Sequence, residues 1–185
     1  MSNLELGIFE NWHVWFVTVT LIVAAVIDGI KLKVPNWLTF PFIISGWVYS
    51  YCVMGWEGLG ISLLGTVVGM ALLLPAYAIG GMGAGDVKLL AGVGAWMHSM
   101  TTVWAFAWTV VIGAVMAVLM VLYRNAFKKH ASQFWFILNE IFTVRNPEKL
   151  AEIAAERKPT MMLLPYGIPI AIGSIGYFCW QGWLV

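Results

Sequence analysis

Apolar residues fall in long blocks separated by short polar or glycine-rich punctuation. Six such blocks can be marked, at 12–30, 36–54, 59–79, 87–98, 101–123 and 161–185. Most approach the roughly 20 residues that a helix needs to cross about 30 Å of hydrocarbon at about 1.5 Å per residue. The fourth is short. It must extend back into the glycine-rich segment before it, or cross where the bilayer is thinned. The pattern predicts an all-α integral membrane protein of six transmembrane helices, forming one domain over 1–185 with a cytoplasmic, partly helical loop at 124–160.

That loop has its own pattern. Phe134, Trp135, Phe136, Ile137, Leu138, Ile141 and Phe142 form an apolar cluster suited to the membrane interface. Asn146-Pro147-Glu148 has the order of a helix start: cap, first-position proline, acid in the first turn. The helix would continue through Lys158, either as a substrate-facing lid or as a surface helix resting on anionic lipid. Within the apolar blocks, Gly65, Gly69, Gly92, Gly94, Gly173 and Gly176 favour close helix approach and speak to packing, not chemistry.

Composition agrees with the pattern. The chain is 61% hydrophobic and 10% charged, with mean hydropathy +0.85, against about 25% charged for a soluble domain. The net charge of +1 is uninformative, but its distribution orients the chain. With the N-terminus outside, all Lys and Arg (Lys31, Lys33, Lys88, Arg124, Lys128, Lys129, Arg145, Lys149, Arg157 and Lys158) fall on the cytoplasmic side. Glu5, Glu10 and Glu57 fall opposite. The first 13 residues lack the basic region of a cleavable signal peptide, so the first helix is expected in the mature protein. Trp12, Trp15, Trp56, Trp96, Trp104, Trp180 and Trp183 read as an outer interfacial belt, with Trp37 and Trp135 inside. Cys52 and Cys179 read as small buried core residues, or else as an outward disulfide. His13, His98 and His130 are scattered, so no metal site is expected; nor is a cofactor or a nucleic-acid partner.

Two aspartates change the picture. Asp28 and Asp86 both fall at the cytoplasmic ends of apolar blocks, where carboxylates are costly and usually kept for work. Two carboxyls held together cannot both ionise cheaply, so a pair shares a proton. One member then activates water while the other hydrogen-bonds a scissile carbonyl, as in aspartic proteases. Gly80 to Gly85, nearly free of side chains apart from Met82, would let an extended substrate backbone approach and would permit positive φ. Lys88 reads as snorkelling to the headgroups, or less readily as tuning Asp86. Pro35 keeps Val34 out of helical geometry, and Asn36 is placed to cap the second helix. Pro165-Tyr166-Gly167-Ile168-Pro169 reads as a broken helix start whose Tyr166 hydroxyl contacts the acid pair or substrate, or does neither. The competing reading is a proton-coupled transporter, which would more naturally hold its acids at mid-membrane.

Three segments together resemble a known family. Gly83-Ala84-Gly85-Asp86-Val87-Lys88-Leu89 is similar to the GxGD signature of intramembrane aspartyl proteases, in the form found in type IV prepilin peptidases. Asp28, Lys31, Pro35, Asn36 and the Leu38-Thr39 pair resemble that family's first-aspartate segment, and Pro165-Tyr166-Gly167 its late element. The resemblance implies catalytic roles for Asp28 and Asp86, with Gly83, Gly85, Lys88, Pro35, Asn36, Pro165, Tyr166 and Gly167 supporting them. It implies prepilin or pseudopilin substrates, membrane lipid as surroundings, and a site at the cytoplasmic face of a bacterial inner membrane. The chain lacks the cysteine-bearing zinc segment of the larger bifunctional members and resembles the compact tight-adherence (Flp) enzymes, so N-methylation is not expected. Ile27 before Asp28 departs from the Tyr-Asp motif of presenilin-like relatives.

Overall fold

The computed structural model describes residues 11–78, 81–123 and 165–184. The 124–160 loop, with its apolar cluster and the helix start at Asn146, lies outside the described residues, as do residues 161–164 of the last apolar block and His130. Among the described residues four helices follow in order: α1 (Trp12–Lys31), α2 (Asn36–Ala78), α3 (Ala84–Tyr123) and α4 (Gly167–Trp180). Helix α1, helix α2 and the Ala84–Met120 stretch of α3 are each long and apolar enough to cross a membrane.

Helices α2 and α3 each double back on themselves. In α2 the break is Gly55, at φ 63° and ψ −145°, a conformation open essentially to glycine. The Trp47 indole N–H donates to Thr66 Oγ1 at 2.9 Å, although a straight helix would part those residues by about 28 Å. In α3 the break is His98, at φ 63° and ψ 177°. Tyr166 packs against Gly113 and feels the charge of Asp86, positions that a straight helix would set about 40 Å apart. The expected connection at 55–58 is therefore a single non-helical residue, because glycine alone suffices for the reversal. The short fourth block does extend backward, with its helix beginning at Ala84.

The arms meet at small residues. A Cβ on Gly94 would strike the backbone of Gly65, one on Gly69 the backbone of Leu90, and one on Gly173 the backbone of Thr109. Leu21, Leu73, Leu89, Leu90, Ile170 and Phe178 fill the interior, while Val19, Val26, Val67, Val111 and Leu119 stand exposed. Ser62, Thr102 and Thr109 are buried, each with its hydroxyl donating to a backbone carbonyl. That inside-out distribution is the one a surrounding apolar solvent would favour.

Three expectations are corrected. Trp96 does not belong to an interfacial belt: it is 4% exposed, and its indole N–H donates to the Phe42 carbonyl at 2.9 Å. Cys52 and Cys179 are neither buried nor bridged; both are exposed free thiols. Asn36 does not cap α2 but is its first residue, because Pro35 supplies the carbonyl that opens the helix, accepting from Leu38 and Thr39.

Candidate active site

Asp28 lies three residues before the end of α1, and Asp86 in the first turn of α3. Both are almost fully buried, at 3% and 5% exposure. They line one open cavity of about 350 Å³, together with Leu32, Lys33, Val34, Asn36, Gly83, Gly85 and Lys88. Asp86 lies within range of the charge of Asp28.

The chain between α1 and α2 builds one wall. Leu32 takes the left-handed conformation, φ 50°, and its N–H closes on the Asp28 carbonyl at 2.7 Å. Pro35 has no N–H to continue a helix, and Val34 before it is non-helical, buried and part of the cavity wall. A Cβ on Gly85 would come within 2.5 Å of the Val34 carbonyl oxygen, so only glycine lets the two segments meet there.

Backbone amides from the other motif elements fix the carboxylates. The Gly83 N–H donates to Asp86 Oδ2 at 3.0 Å. The Gly167 N–H, at the start of α4, donates to Asp28 Oδ2 at 2.8 Å. Each acid thus has one oxygen anchored. Asp86 Oδ1 is enclosed without a hydrogen-bond partner among the described residues.

Lys88 does not snorkel away from the site. Its Nζ donates to Asn36 Oδ1 at 2.9 Å and lies 4.7 Å from the centre of the Phe40 ring. That contact ties the start of α2 to the first turn of α3. Tyr166 is half-buried behind the cavity, against Gly113, and Pro165 accepts the Ile168 N–H at 3.2 Å. Pro35, Pro165, Tyr166 and Gly167 do not line the cavity.

The sequence pointed to these glycines for a different reason. Positive φ is found at Gly55 and Gly182 among the described glycines, and not at Gly81, Gly83 or Gly85. Their use is close approach and N–H donation. Leu32 and Val34 belong to a segment read from sequence as a structural turn and not as part of the site, although a proline two residues after Lys33 is the available signal for a segment laid against it.

Among the described residues the fold is all-helical, with helices long and apolar enough to cross a membrane, and it brings two buried carboxylates to one open cavity. Residues 15–118, which include both aspartates, match the model of the type IV leader peptidase family, and the chain belongs to that family. It is similar to the prepilin leader peptidase/N-methyltransferase of Aeromonas hydrophila, at 30% identity over 115 residues, covering 58% of this chain and 39% of that protein. The protein of the same name from Aeromonas salmonicida (strain A449) matches with the same identity and coverage. The chain therefore spans about two fifths of the length of these curated relatives. No solved structure matches it at a significant level.

Proposed function

We propose that this protein is a prepilin leader peptidase that hydrolyses the bond between a basic leader and the hydrophobic helix of prepilin-like substrates, using Asp28 and Asp86. The observation that carries the reading is the convergence of both carboxylates on one cavity, each anchored through a single oxygen by a glycine N–H. The family match supports the substrate class. Nothing in the comparisons favours a transporter.

The chemistry follows from one proton shared by two acids. The ionised carboxylate accepts a proton from a water as its oxygen attacks the scissile carbonyl carbon. The protonated carboxyl donates to the carbonyl oxygen, giving a neutral gem-diol and no covalent enzyme intermediate. Collapse of the gem-diol returns one hydroxyl proton to a carboxylate, and the amine leaves with the proton held by the other acid. The Gly83 and Gly167 amides hold the carboxyl planes through these transfers. In this reading six helical segments cross the bilayer, and Lys31, Lys33 and Lys88 at the cavity's end support a site facing the cytoplasm. A basic leader would meet the acids there while its apolar helix stays in lipid.

The test is incubation of the purified full chain in detergent with a prepilin, reading the new N-terminus by mass spectrometry. Asp28→Asn and Asp86→Asn should each lower cleavage by at least about 10²–10⁴-fold, the usual range for loss of a general acid or base. Cleavage at wild-type rate by either folded variant would overturn the assignment.

A further inference from the structure

Helix α1 carries Asp28 near one end and His13 near the other, about 22 Å away along the axis. A second cavity, of about 230 Å³, opens there, lined by His13, His98, Met54, Met97, Tyr49 and Trp96 among others. The two breaks in the long helices converge on it: Met54 directly precedes Gly55, and His98 is itself the break in α3. We infer that this cavity is a binding site for a soft monovalent metal ion of the copper(I) type, held by the imidazoles of His13 and His98 and the thioethers of Met97 and Met54.

Four features of the site support this. His98 has φ 63°, a backbone conformation that costs a non-glycine residue energy and persists where the surroundings over-determine it. Its Nε2 is enclosed and has no hydrogen-bond partner among the described residues. His13 is close enough to His98 for the two rings to feel each other's charge. The His13 ring is also oriented, stacked on Tyr49 at 5.6 Å, while Tyr49 stacks on Trp96 at 4.9 Å. Oriented imidazoles are a general property of metal ligands.

The donor set selects the ion. Imidazole suits zinc, copper, iron and nickel alike, but thioether sulfur favours soft copper(I) and its relatives. No carboxylate is among the described residues lining the cavity, so nothing there favours a hard dication. No sequence spacing announces the site: the histidines are 85 positions apart, and reversal of the chain at Gly55 and His98 is what gathers the donors.

The probe is silver(I), a redox-inert mimic of copper(I), titrated calorimetrically into the purified full chain in detergent, with zinc(II) titrated in parallel. Cys52 and Cys179 are exposed free thiols that would themselves take up silver, so the titrated chain carries Cys52→Ser and Cys179→Ser, and in that background it should bind one silver ion more tightly than zinc. His13→Gln and His98→Asn should each weaken silver binding at least about tenfold. At φ 63° and ψ 177° position 98 strains any residue that carries a Cβ, histidine and asparagine alike, and His13→Gln, within an ordinary helix, carries the test should His98→Asn fail to accumulate. Met97→Leu and Met54→Leu should weaken silver binding while leaving zinc binding unchanged. Absence of silver binding, binding unaffected by His13→Gln, or tighter binding of zinc than of silver would each overturn the assignment.

Discussion

A single methyl group separates the roles of the site glycines. On Gly167 it would lie 2.9 Å from Asp28 Oδ2, inside contact distance of the oxygen that the same residue's N–H anchors. On Gly83 it would meet Asp86 Oδ2 at 3.3 Å, tight but able to yield. Gly167→Ala should therefore lower kcat/KM on a prepilin more than Gly83→Ala, by about tenfold or more, at a stability cost of about 1–3 kcal/mol for overpacking. Equal, small losses in both would deny Gly167 its positioning role. The aspartates were legible in the sequence because a carboxylate among apolar residues demands a reason. The amides that hold them were not, since the direction of an N–H depends on backbone path and leaves no trace in residue type.

The helical breaks show how far hydrophobic pattern reaches at the level of elements. Gly55 sits between two apolar blocks and is the residue expected where φ must be positive, so that reversal could be located to within a few residues. His98 carries no such signature, and its break follows from how Gly94 and Gly65 bring the arms together. Gly55→Ala should cost about 1–3 kcal/mol in thermal or denaturant unfolding of the detergent-solubilised protein, the range for a strained backbone position. A Cβ there would meet nothing within 4 Å, so steric crowding makes no contribution. Gly60→Ala, also with open space around the new methyl but at a helical backbone, should be neutral or stabilising. If the two variants unfold alike, the left-handed conformation at position 55 is not what turns the chain.

Charge placement gives the prediction that belongs to the whole molecule. Lys31, Lys33 and Lys88 gather at the end of the bundle that holds the aspartates, and Glu57 lies just past the Gly55 reversal. On the proposed reading, the positive-inside rule predicts that the aspartate end faces the cytoplasm. Cys52 and Cys179 are exposed thiols that would react with any probe, so both must first become serine. In that background, Lys33→Cys should react with a membrane-impermeant maleimide in inverted vesicles and be protected in intact spheroplasts. Trp56→Cys, at a position 77% exposed, should show the opposite pattern. Reversed labelling of the pair would put the acids on the far side of the membrane, away from any substrate not yet translocated. Labelling of both from one side would mean that α2 enters and leaves by the same face. The two residues are joined by 23 positions of mostly continuous helix, about 35 Å if straight and so enough to cross about 30 Å of hydrocarbon, and labelling from opposite faces would establish that crossing.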